Sequence, residues 1–421
     1  MTRTSTYSSI KATWRRTFDP LSIPNLRLFF AGQAISLVGT WLQSTAQALL
    51  VYRVSGGHSE PVAITACCTA IPLILLGPML GNLTSQISRR HLVIATQAVE
   101  LLLAAVLGLL VHAHIATPAC VYVLAFLLGC AEAIYFPAVQ RLLRDIAGST
   151  HIRSAVGLSA VISNIARFGG PTLAGLLIGS FGISIAFFLN SLSFVAVIVS
   201  LLLLREEQKQ HVERQEGWSM LKTVKYLSQD VRMLGVFATI GLMNVFGQSC
   251  YALIPALEAG DARATGLLLG AAGLGSLTSA LCVMPFFQGF RRPGLLLCGA
   301  LLWMSSALAV TASFHFLPLQ LISMLSLGLA TTVLFVTTLG LIQTVPPVPT
   351  HGALFGLFGA AFYGSQPVAA LGLAYLADRG SITRTMRGSA LAEVLGALLL
   401  LLLPRWRAWD VRQLAAPEAT T

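Results

Sequence analysis

Twelve apolar stretches, each about as long as a membrane-crossing helix, occupy most of this chain of 421 residues. A helix needs about 20 apolar residues to cross a hydrocarbon core roughly 30 Å thick, so each stretch predicts one transmembrane helix. Runs such as 101–110 do not alternate in polarity, as the strands of a membrane β-barrel would. We therefore predict an all-α membrane protein with twelve transmembrane helices, at 29–52, 62–86, 92–111, 118–140, 157–180, 183–204, 233–255, 265–287, 294–313, 317–343, 353–377 and 386–403.

The composition supports the same class of protein. Hydrophobic residues make up 55% of the chain, charged residues only 10%, and the mean hydropathy is +0.77. A soluble domain carries about 25% charged residues, so a water-soluble fold is excluded. The cysteines all fall within or at the ends of apolar stretches, without metal-ligand spacing, and we interpret them as small core residues. The first stretch is too long for a cleavable signal peptide and is expected to remain as an anchor.

The distribution of Lys and Arg predicts the orientation of the spans. One side of the membrane receives most of them, whereas the opposite side receives Arg53, Arg263, Arg379, Arg384 and Arg387. Because Lys and Arg favour the cytoplasmic side, both termini are predicted to be cytoplasmic, in a multi-pass protein of the cytoplasmic (inner) membrane. The net charge of +11 is then an orientation signal on a surface that faces lipid headgroups, and nucleic acid is not an expected partner.

The two halves of the chain look like copies of one another. Matching positions pair Arg27 with Arg232, Gln43 with Gln248, Ser44 with Ser249, Pro171 with Pro367, and Arg89 and Arg90 with Arg291 and Arg292. We predict two pseudo-symmetric six-helix bundles, with parallel repeats that place a substrate site at their interface near the bilayer midplane. The predicted parts are a cytoplasmic segment at 1–28, a first bundle at 29–204, a cytoplasmic linker at 205–232, a second bundle at 233–403 and a cytoplasmic tail at 404–421.

Polar side chains within the spans indicate which helix faces line such a site. In the first span they recur every three to four residues and so form one helical stripe, which is unfavourable against lipid. Hydrogen bonds that only hold helices together are the alternative interpretation. The predicted cavity residues are Gln33, Thr40, Gln43, Gln47, Tyr135, Asn244, Gln248, Tyr251, Gln343, Tyr363 and Gln366.

Four ionisable residues lie well inside the spans: Glu100, Glu132, Arg167 and Glu393. Charges there are costly, so such residues are functional candidates. Glu132 and Arg167 lie on consecutive helices and are predicted at comparable depth, where they could form a structural salt bridge or a proton relay that opens during transport. Glu100 is a further coupling candidate, whereas Glu393 is expected near a helix end.

No enzymatic constellation is present in the sequence. The histidines are scattered singly, no cluster has metal-ligand spacing, and no Gly-rich phosphate loop precedes a soluble helix. The linker at 205–232 is too short for a nucleotide-binding domain. We therefore expect no catalysis, no cofactor and no metal. The expected energy source is an ion or solute gradient, or there is none.

Several short motifs resemble a branch of the major facilitator superfamily, the transmembrane secretion effectors, which includes enterobactin-exporter-like proteins. The resemblance covers nearly the whole chain, and the order and spacing of the motifs are more specific than any single motif. It rests on Gly32-Gln33, Ser36, Gly39-Thr40-Trp41, Pro72, Gly77-Pro78, Gly81, Arg89-Arg90, Phe136-Pro137-Ala138 and Gly170-Pro171 followed by Gly175. Of these, the resemblance implies conformational roles for Gly81, Arg89, Arg90, Gly170, Pro171 and Gly175, the last three being similar to the family's antiporter motif.

The chain also departs from this family's pattern. The loop motif after the second span normally carries an aspartate and an arginine, where this chain has Ser85 and Gln86. An arginine of many drug/proton antiporters is replaced by Ala125, and His351 and Ala353 stand where the family often has arginines. The cytoplasmic latch that the family builds from these charges is therefore expected to be weaker or made differently.

The sequence thus predicts a secondary active transporter that exports a small amphiphilic molecule, such as a siderophore, metabolite or drug, by alternating access of two halves. Its expected partners are that substrate, membrane lipid and protons, and a monomer is expected. Two alternatives stay open at this point: an importer of the same class of solute, and a non-transporting receptor or assembly partner that retains the fold.

Overall fold

The computed structural model describes residues 18–83, 88–204, 225, 227–284, 290–346, 354 and 357–410, and this part of the chain contains helices and no strand. The prediction of an all-α membrane protein is confirmed. Ten of the described helices are long and apolar enough to cross a membrane, and residues 60–76 form a shorter apolar helix. The predicted spans match helices whose ends differ by a few residues, except at two sites described below.

The described residues form two compact units. The first contains α1 (Pro24–Val54), most of α2 (Glu60–Leu83), α3 (Arg89–His112), α4 (Pro118–Gly148), α5 (Thr150–Phe181) and α6 (Ser184–Leu202). The second contains α7 (Val231–Leu257), α8 (Ala262–Val283), α9 (Pro293–Ser313), α10 (Leu317–Thr344), α11 (Ser365–Arg379), α12 (Ile382–Leu402) and the short α13 (Pro404–Arg407).

Residues 55–67, at the start of α2, belong to the second unit. The carboxylate of Asp378, near the end of α11, accepts hydrogen bonds of 2.8 Å from the backbone nitrogens of both Ser59 and Glu60. These N–H groups have no partner within α2 because they belong to its first turn, and a carboxylate also complements the positive end of the helix dipole. The Cys67 thiol adds a 3.2 Å hydrogen bond to the carbonyl of Pro367.

Helices α4 and α5 follow each other without a loop. The segment 141–156 was predicted to lie between two spans, but it is helical up to and after Gly148, where φ is 61° and ψ is −179°. Positive φ is readily adopted only by glycine, which explains why the change of direction occurs at this residue.

Helix α7 is the second site of difference, because it is not a regular α-helix. Its α-helical start, Val231–Leu242, continues as a π turn at Met243–Gly247 and as a 3₁₀ segment at Gln248–Leu253. Further π turns occur at Ser279–Val283 in α8 and at Ala360–Gly364 before α11. Such turns shift the helical register and are frequent at functional sites.

Small residues set the helix spacing in the first unit. A methyl group built on Gly170 of α5 would overlap Cβ of Trp41 and lie 2.9 Å from the backbone nitrogen of Leu42. In the same way, Gly39 of α1 approaches Asn190 and Ser193 of α6. Close approach at small residues is the usual way in which membrane helices gain packing energy, since lipid is as apolar as the side chains.

The second unit is closed at one end by residues that follow α12. Trp406 is fully buried, and its ring packs on Gly235 of α7 and on Gly294 of α9. Its indole nitrogen donates a 3.4 Å hydrogen bond to the thiol of Cys298. Residues 404–410, predicted as part of a cytoplasmic tail, therefore include a packed end of the second unit.

Replacing Gly170 by Ala should lower the free energy of unfolding by roughly 1–3 kcal/mol, because the added methyl group must push α5 away from α1. Gly169→Ala is the matched control, since a methyl group on Gly169 meets no atom within 4 Å. Thermal unfolding of the purified variants in detergent measures the difference. Equal midpoints for the two variants would contradict the tight α1–α5 contact.

Candidate functional site

A cluster of polar side chains lies inside the first unit, where α1, α3 and α4 pack together. The amide of Gln33 and the hydroxyl of Tyr135 are hydrogen-bonded, with the amide nitrogen 2.8 Å and the amide oxygen 3.0 Å from the hydroxyl oxygen. The carboxyls of Glu100 and Glu132 are close enough to interact electrostatically with each other and with Tyr135. The structure therefore brings together four residues that the sequence predicted separately.

Glu100 is the most deeply buried member of this cluster, with 5% of its surface exposed. One of its oxygens accepts a 2.7 Å hydrogen bond from the amide nitrogen of Gln97, while the other has no partner in the described part of the chain. Gln97 was missed by the sequence analysis, although its position three residues before Glu100 places both on one helical face. Two neighbouring carboxyls in a site of low dielectric cannot both be ionised without a large cost, so the pair is suited to hold one proton.

Arg167 does not pair with Glu132. Among the described residues, its guanidinium forms no ion pair and instead lies over the ring of Trp41, with 5.0 Å between Cζ and the ring centroid. The predicted pair is therefore not formed, because the guanidinium lies on Trp41 of α1, while Tyr135, one turn from Glu132, meets α1 at Gln33. The comparable depth of Glu132 and Arg167 stays a prediction.

The remaining polar residues of α1 are partly used between helices. Gln43 accepts a 2.8 Å hydrogen bond from the amide nitrogen of Asn190 on α6, and both side chains are buried. Thr40 donates to the backbone carbonyl of Ser36 at 3.0 Å, and Gln47 is half-buried. For Gln43, the structure therefore shows a hydrogen bond that holds two helices together, which was the alternative to a position that lines a cavity.

In the second unit, Gln248 and Gln366 come together at the irregular part of α7. The amide nitrogen of Gln248 donates to the hydroxyl of Thr331 on α10 at 3.2 Å, and the Gln366 amide nitrogen lies 3.5 Å from the Gln248 carbonyl oxygen. Ser249 donates to the Gln366 carbonyl at 2.9 Å. At the level of Gln248, α7 therefore contacts α10 and α11 through polar groups.

The other predicted cavity residues of this unit are dispersed. Tyr251 packs against the hydrophobic core, and Gln343 is exposed near the end of α10. Asn244 is fully buried in the π turn of α7, and neither of its side-chain amide atoms has a partner in the described chain. The side chain of Tyr363 lies outside the described residues.

Glu393 is the acidic residue of the second unit that the sequence analysis placed incorrectly. It lies in the middle of α12, is fully buried, and approaches Gly247 in the π turn of α7. Neither carboxyl oxygen has a hydrogen-bond partner in the described chain, because the nearby Ser305 hydroxyl donates to the carbonyl of Leu301 at 2.8 Å. Sequence alone missed this site because the π turn brings α7 and α12 together in a register that helical periodicity does not predict.

The residues with predicted conformational roles lie at helix ends and contacts. Arg89 forms an ion pair with Asp145 of α4, and Arg90 donates to the carbonyls of Leu202 at 2.7 Å and Leu204 at 3.2 Å, at the end of α6. Gly81 lies in the last turn of α2, and Ser85 and Gln86 lie outside the described residues. Gly170, Pro171 and Gly175 are buried along α5.

The structure offers no evident metal centre, since no group of three or more His, Cys, Asp or Glu side chains in the described residues could hold an ion. The polar clusters are instead single carboxyls, amides and hydroxyls inside helical units. Such groups suit a protein that binds a solute or a proton within the membrane.

Comparison with known proteins supports this interpretation. The family model described as transmembrane secretion effector matches residues 15–419. The chain is 26% identical, over 80% of its length and 82% of the relative, to the uncharacterized MFS-type transporter YfiS of Bacillus subtilis (strain 168). It is 23% identical, over 62% of its length and 66% of the relative, to the staphyloferrin A transporter of Staphylococcus aureus (strain NCTC 8325 / PS 47).

A third relative and a solved structure match as well. The multidrug resistance protein MdtG of Rahnella sp. (strain Y9602) is 25% identical over 42% of the chain and 43% of the relative. The nucleoside transporter NupG has the same fold, with a TM-score of 0.69 at 11% identity over 91% of this chain and 99% of NupG. This last match carries information on the fold alone.

Replacing Glu393 by Met should raise the thermal unfolding midpoint, because it removes a buried polar group without partners while keeping a similar volume. The gain corresponds to about 1–3 kcal/mol, the usual cost of such a group. The control is Glu258→Met, which removes the acceptor of a 3.1 Å hydrogen bond from Gln320 and should lower the midpoint. A lower midpoint for both variants would show that the Glu393 carboxyl has a stabilising partner.

Proposed function

Because this chain belongs to the transmembrane secretion effector family, we propose that it is a secondary active transporter that exports a small amphiphilic molecule by alternating access. The premise is that the chain is a multi-pass membrane transporter of the major facilitator superfamily, as its family and its apolar helices show. The direction, the cargo, the coupling ion and the cytoplasmic location of both termini are the proposal. The proposed membrane is the cytoplasmic (inner) membrane, and the proposed working form is a monomer.

The proposed cargo is a siderophore, a metabolite or a drug. Support comes from the names of two relatives, a staphyloferrin A transporter and a multidrug resistance protein. Export is supported by the resemblance of Gly170, Pro171 and Gly175 to an antiporter motif, and by the close α1–α5 contact at Gly170. The residues proposed to face the substrate are the polar stripe of α1 in the first unit and the Gln248 region of α7 in the second.

The observation that supports proton coupling is the electrostatic interaction between Glu100, which is buried, and Glu132, which is half-buried. A single proton shared between two close carboxyls can leave when water or a polar cargo enters the site, because hydration stabilises the second negative charge. The hydroxyl of Tyr135, bonded to Gln33 on α1, joins this pair to the stripe that is proposed to face the cargo. Binding of the cargo and loss of the proton can therefore influence each other.

Side-chain contacts at one end of the first unit join several of its helices, so that these helices can move together. Arg89 links α3 to α4, and Arg90 binds carbonyls at the C-terminal end of α6, where helix carbonyls lack intrahelical partners. These contacts tie three helices at one level. We expect the unit to rock as one body during alternating access, as the family's parallel repeats do.

Glu132→Gln should keep expression and folding while it lowers transport driven by a pH gradient, because the amide keeps the volume but cannot carry the proton. The measurement uses proteoliposomes with an imposed pH gradient and a panel of siderophores and amphiphilic dyes as cargo. Transport rates are compared at several pH values. Glu60→Gln is the control, since Glu60 lies at the first turn of α2, outside the cluster.

Three outcomes would contradict the proposal in different ways. Equal rates for Glu132→Gln and the parent protein at every pH would remove the coupling role and leave a structural one. Accumulation of cargo in the direction opposite to export would favour an importer. If the parent moves none of the panel in either direction, a non-transporting receptor becomes the better account.

A further inference from the structure

The side chain of Arg167 is a cation inside a membrane span, and it has no anionic partner among the described residues. It lies near the middle of α5, is half-buried, and takes part in none of the ion pairs or hydrogen bonds of the described residues. Its contact is with the face of Trp41, near the middle of α1, at 5.0 Å from the ring centroid. An arginine at this depth is costly unless it is paired or hydrated, so its retention calls for a function.

The position of this side chain is fixed by the packing around it. Gly170, one turn after Arg167 on the same face of α5, touches Cβ of Trp41 and the backbone of α1. This contact sets the spacing between α5 and α1 next to Arg167. The indole therefore covers one face of the guanidinium and leaves its edge, which carries five N–H donors in one plane, for another acceptor.

The carboxyls of the first unit do not supply that acceptor. Glu100 and Glu132 interact with each other and with Tyr135, which meets α1 at Gln33. No carboxylate of the described residues lies within 4.0 Å of the Arg167 guanidinium, the distance that an ion pair requires. The positive charge of Arg167 remains uncompensated by the described residues.

We propose that Arg167, held on Trp41, binds a carboxylate of the transported molecule, so that the cargo is an anion. This inference rests on the proposed transport function and names its substrate class. A guanidinium edge matches the two oxygens of a carboxylate in a bidentate pair, and the indole offers an apolar surface to the adjoining part of an amphiphile. Arg167 is the one Lys or Arg well inside the predicted spans, since Arg387 stands at the second residue of the last span. A single cation favours a singly charged carboxylate over a phosphate that carries more charge.

The test measures equilibrium binding to the purified protein in lipid nanodiscs by calorimetry. The two probes are 2-naphthoate and 2-naphthamide, which share one shape and differ in charge. We expect the parent to bind naphthoate at least tenfold more tightly than the amide. Arg167→Gln should reduce this ratio to about one, and Arg167→Lys should leave an intermediate ratio, since it keeps the charge but loses the bidentate geometry.

Arg379→Gln is the matched control for a change of charge. Arg379 also lies over an aromatic ring, that of Tyr375 at 4.0 Å, but at the end of α11. Its replacement should leave the naphthoate preference unchanged. The unfolding midpoint of each variant is measured alongside, and the lysine variant keeps the test decisive if the glutamine variant folds poorly.

The proposal is overturned if the parent binds both probes equally or neither, or if the Arg167 variants keep the full preference. Inorganic phosphate that competes with naphthoate at equal concentration would overturn the assignment to carboxylates. Flux of naphthoate through proteoliposomes separates this proposal from the proposed function. If naphthoate binding depends on Arg167 but naphthoate is not transported, the anion site is supported and the proposed transport function is contradicted. If naphthoate is transported but Arg167→Gln keeps the full preference for naphthoate, transport is supported and the anion site is contradicted.

Discussion

In a hydrocarbon environment every polar atom must find its partner within the protein, and this requirement organises both units. Helices satisfy the backbone groups, and the polar side chains of the spans meet it by pairing between helices, as Gln43 does with Asn190 and Gln248 with Thr331. Where the requirement is not met, the structure contains a group that costs free energy. Glu100, Asn244 and Glu393 each carry buried atoms without a partner in the described chain, and these places are the candidates for function.

The two units use similar positions for different chemistry. In the first, α6 presents the neutral amide of Asn190 to α1, next to Gly39. In the second, α12 presents the carboxyl of Glu393 to α7, next to Gly247. The first unit also holds the interacting carboxyls of Glu100 and Glu132, and Arg167, which has no ion-pair partner in the described part of the chain. Each half of the duplicated fold thus contains a buried acidic residue, and the residues that surround it differ between the two halves.

The sequence was sufficient for the class of fold, the number of apolar stretches and the family, because these depend on composition, length and short motifs. Periodicity also predicted one polar face of α1 that contains Gln33 and Gln43, whereas in the structure Gln33 meets Tyr135 on α4 and Gln43 meets Asn190 on α6. It did not give the partner that each polar side chain of a span would meet, and the predicted pair of Glu132 with Arg167 is not formed because Arg167 lies on Trp41. Nor could it give the continuation of α4 into α5 at Gly148 or the π turn next to Glu393, since both are departures from regular helix geometry that only tertiary packing reveals.

The burial of Trp406 has a consequence for the order in which the second unit is assembled. Its ring fills the space between Gly235 on α7 and Gly294 on α9, yet it follows α12 in the chain. During synthesis, α7 and α9 enter the membrane before this residue exists, so their shared end stays open to water or to a chaperone. The second unit can reach its final packing only after α12 has been inserted, which makes its completion a late event in biogenesis.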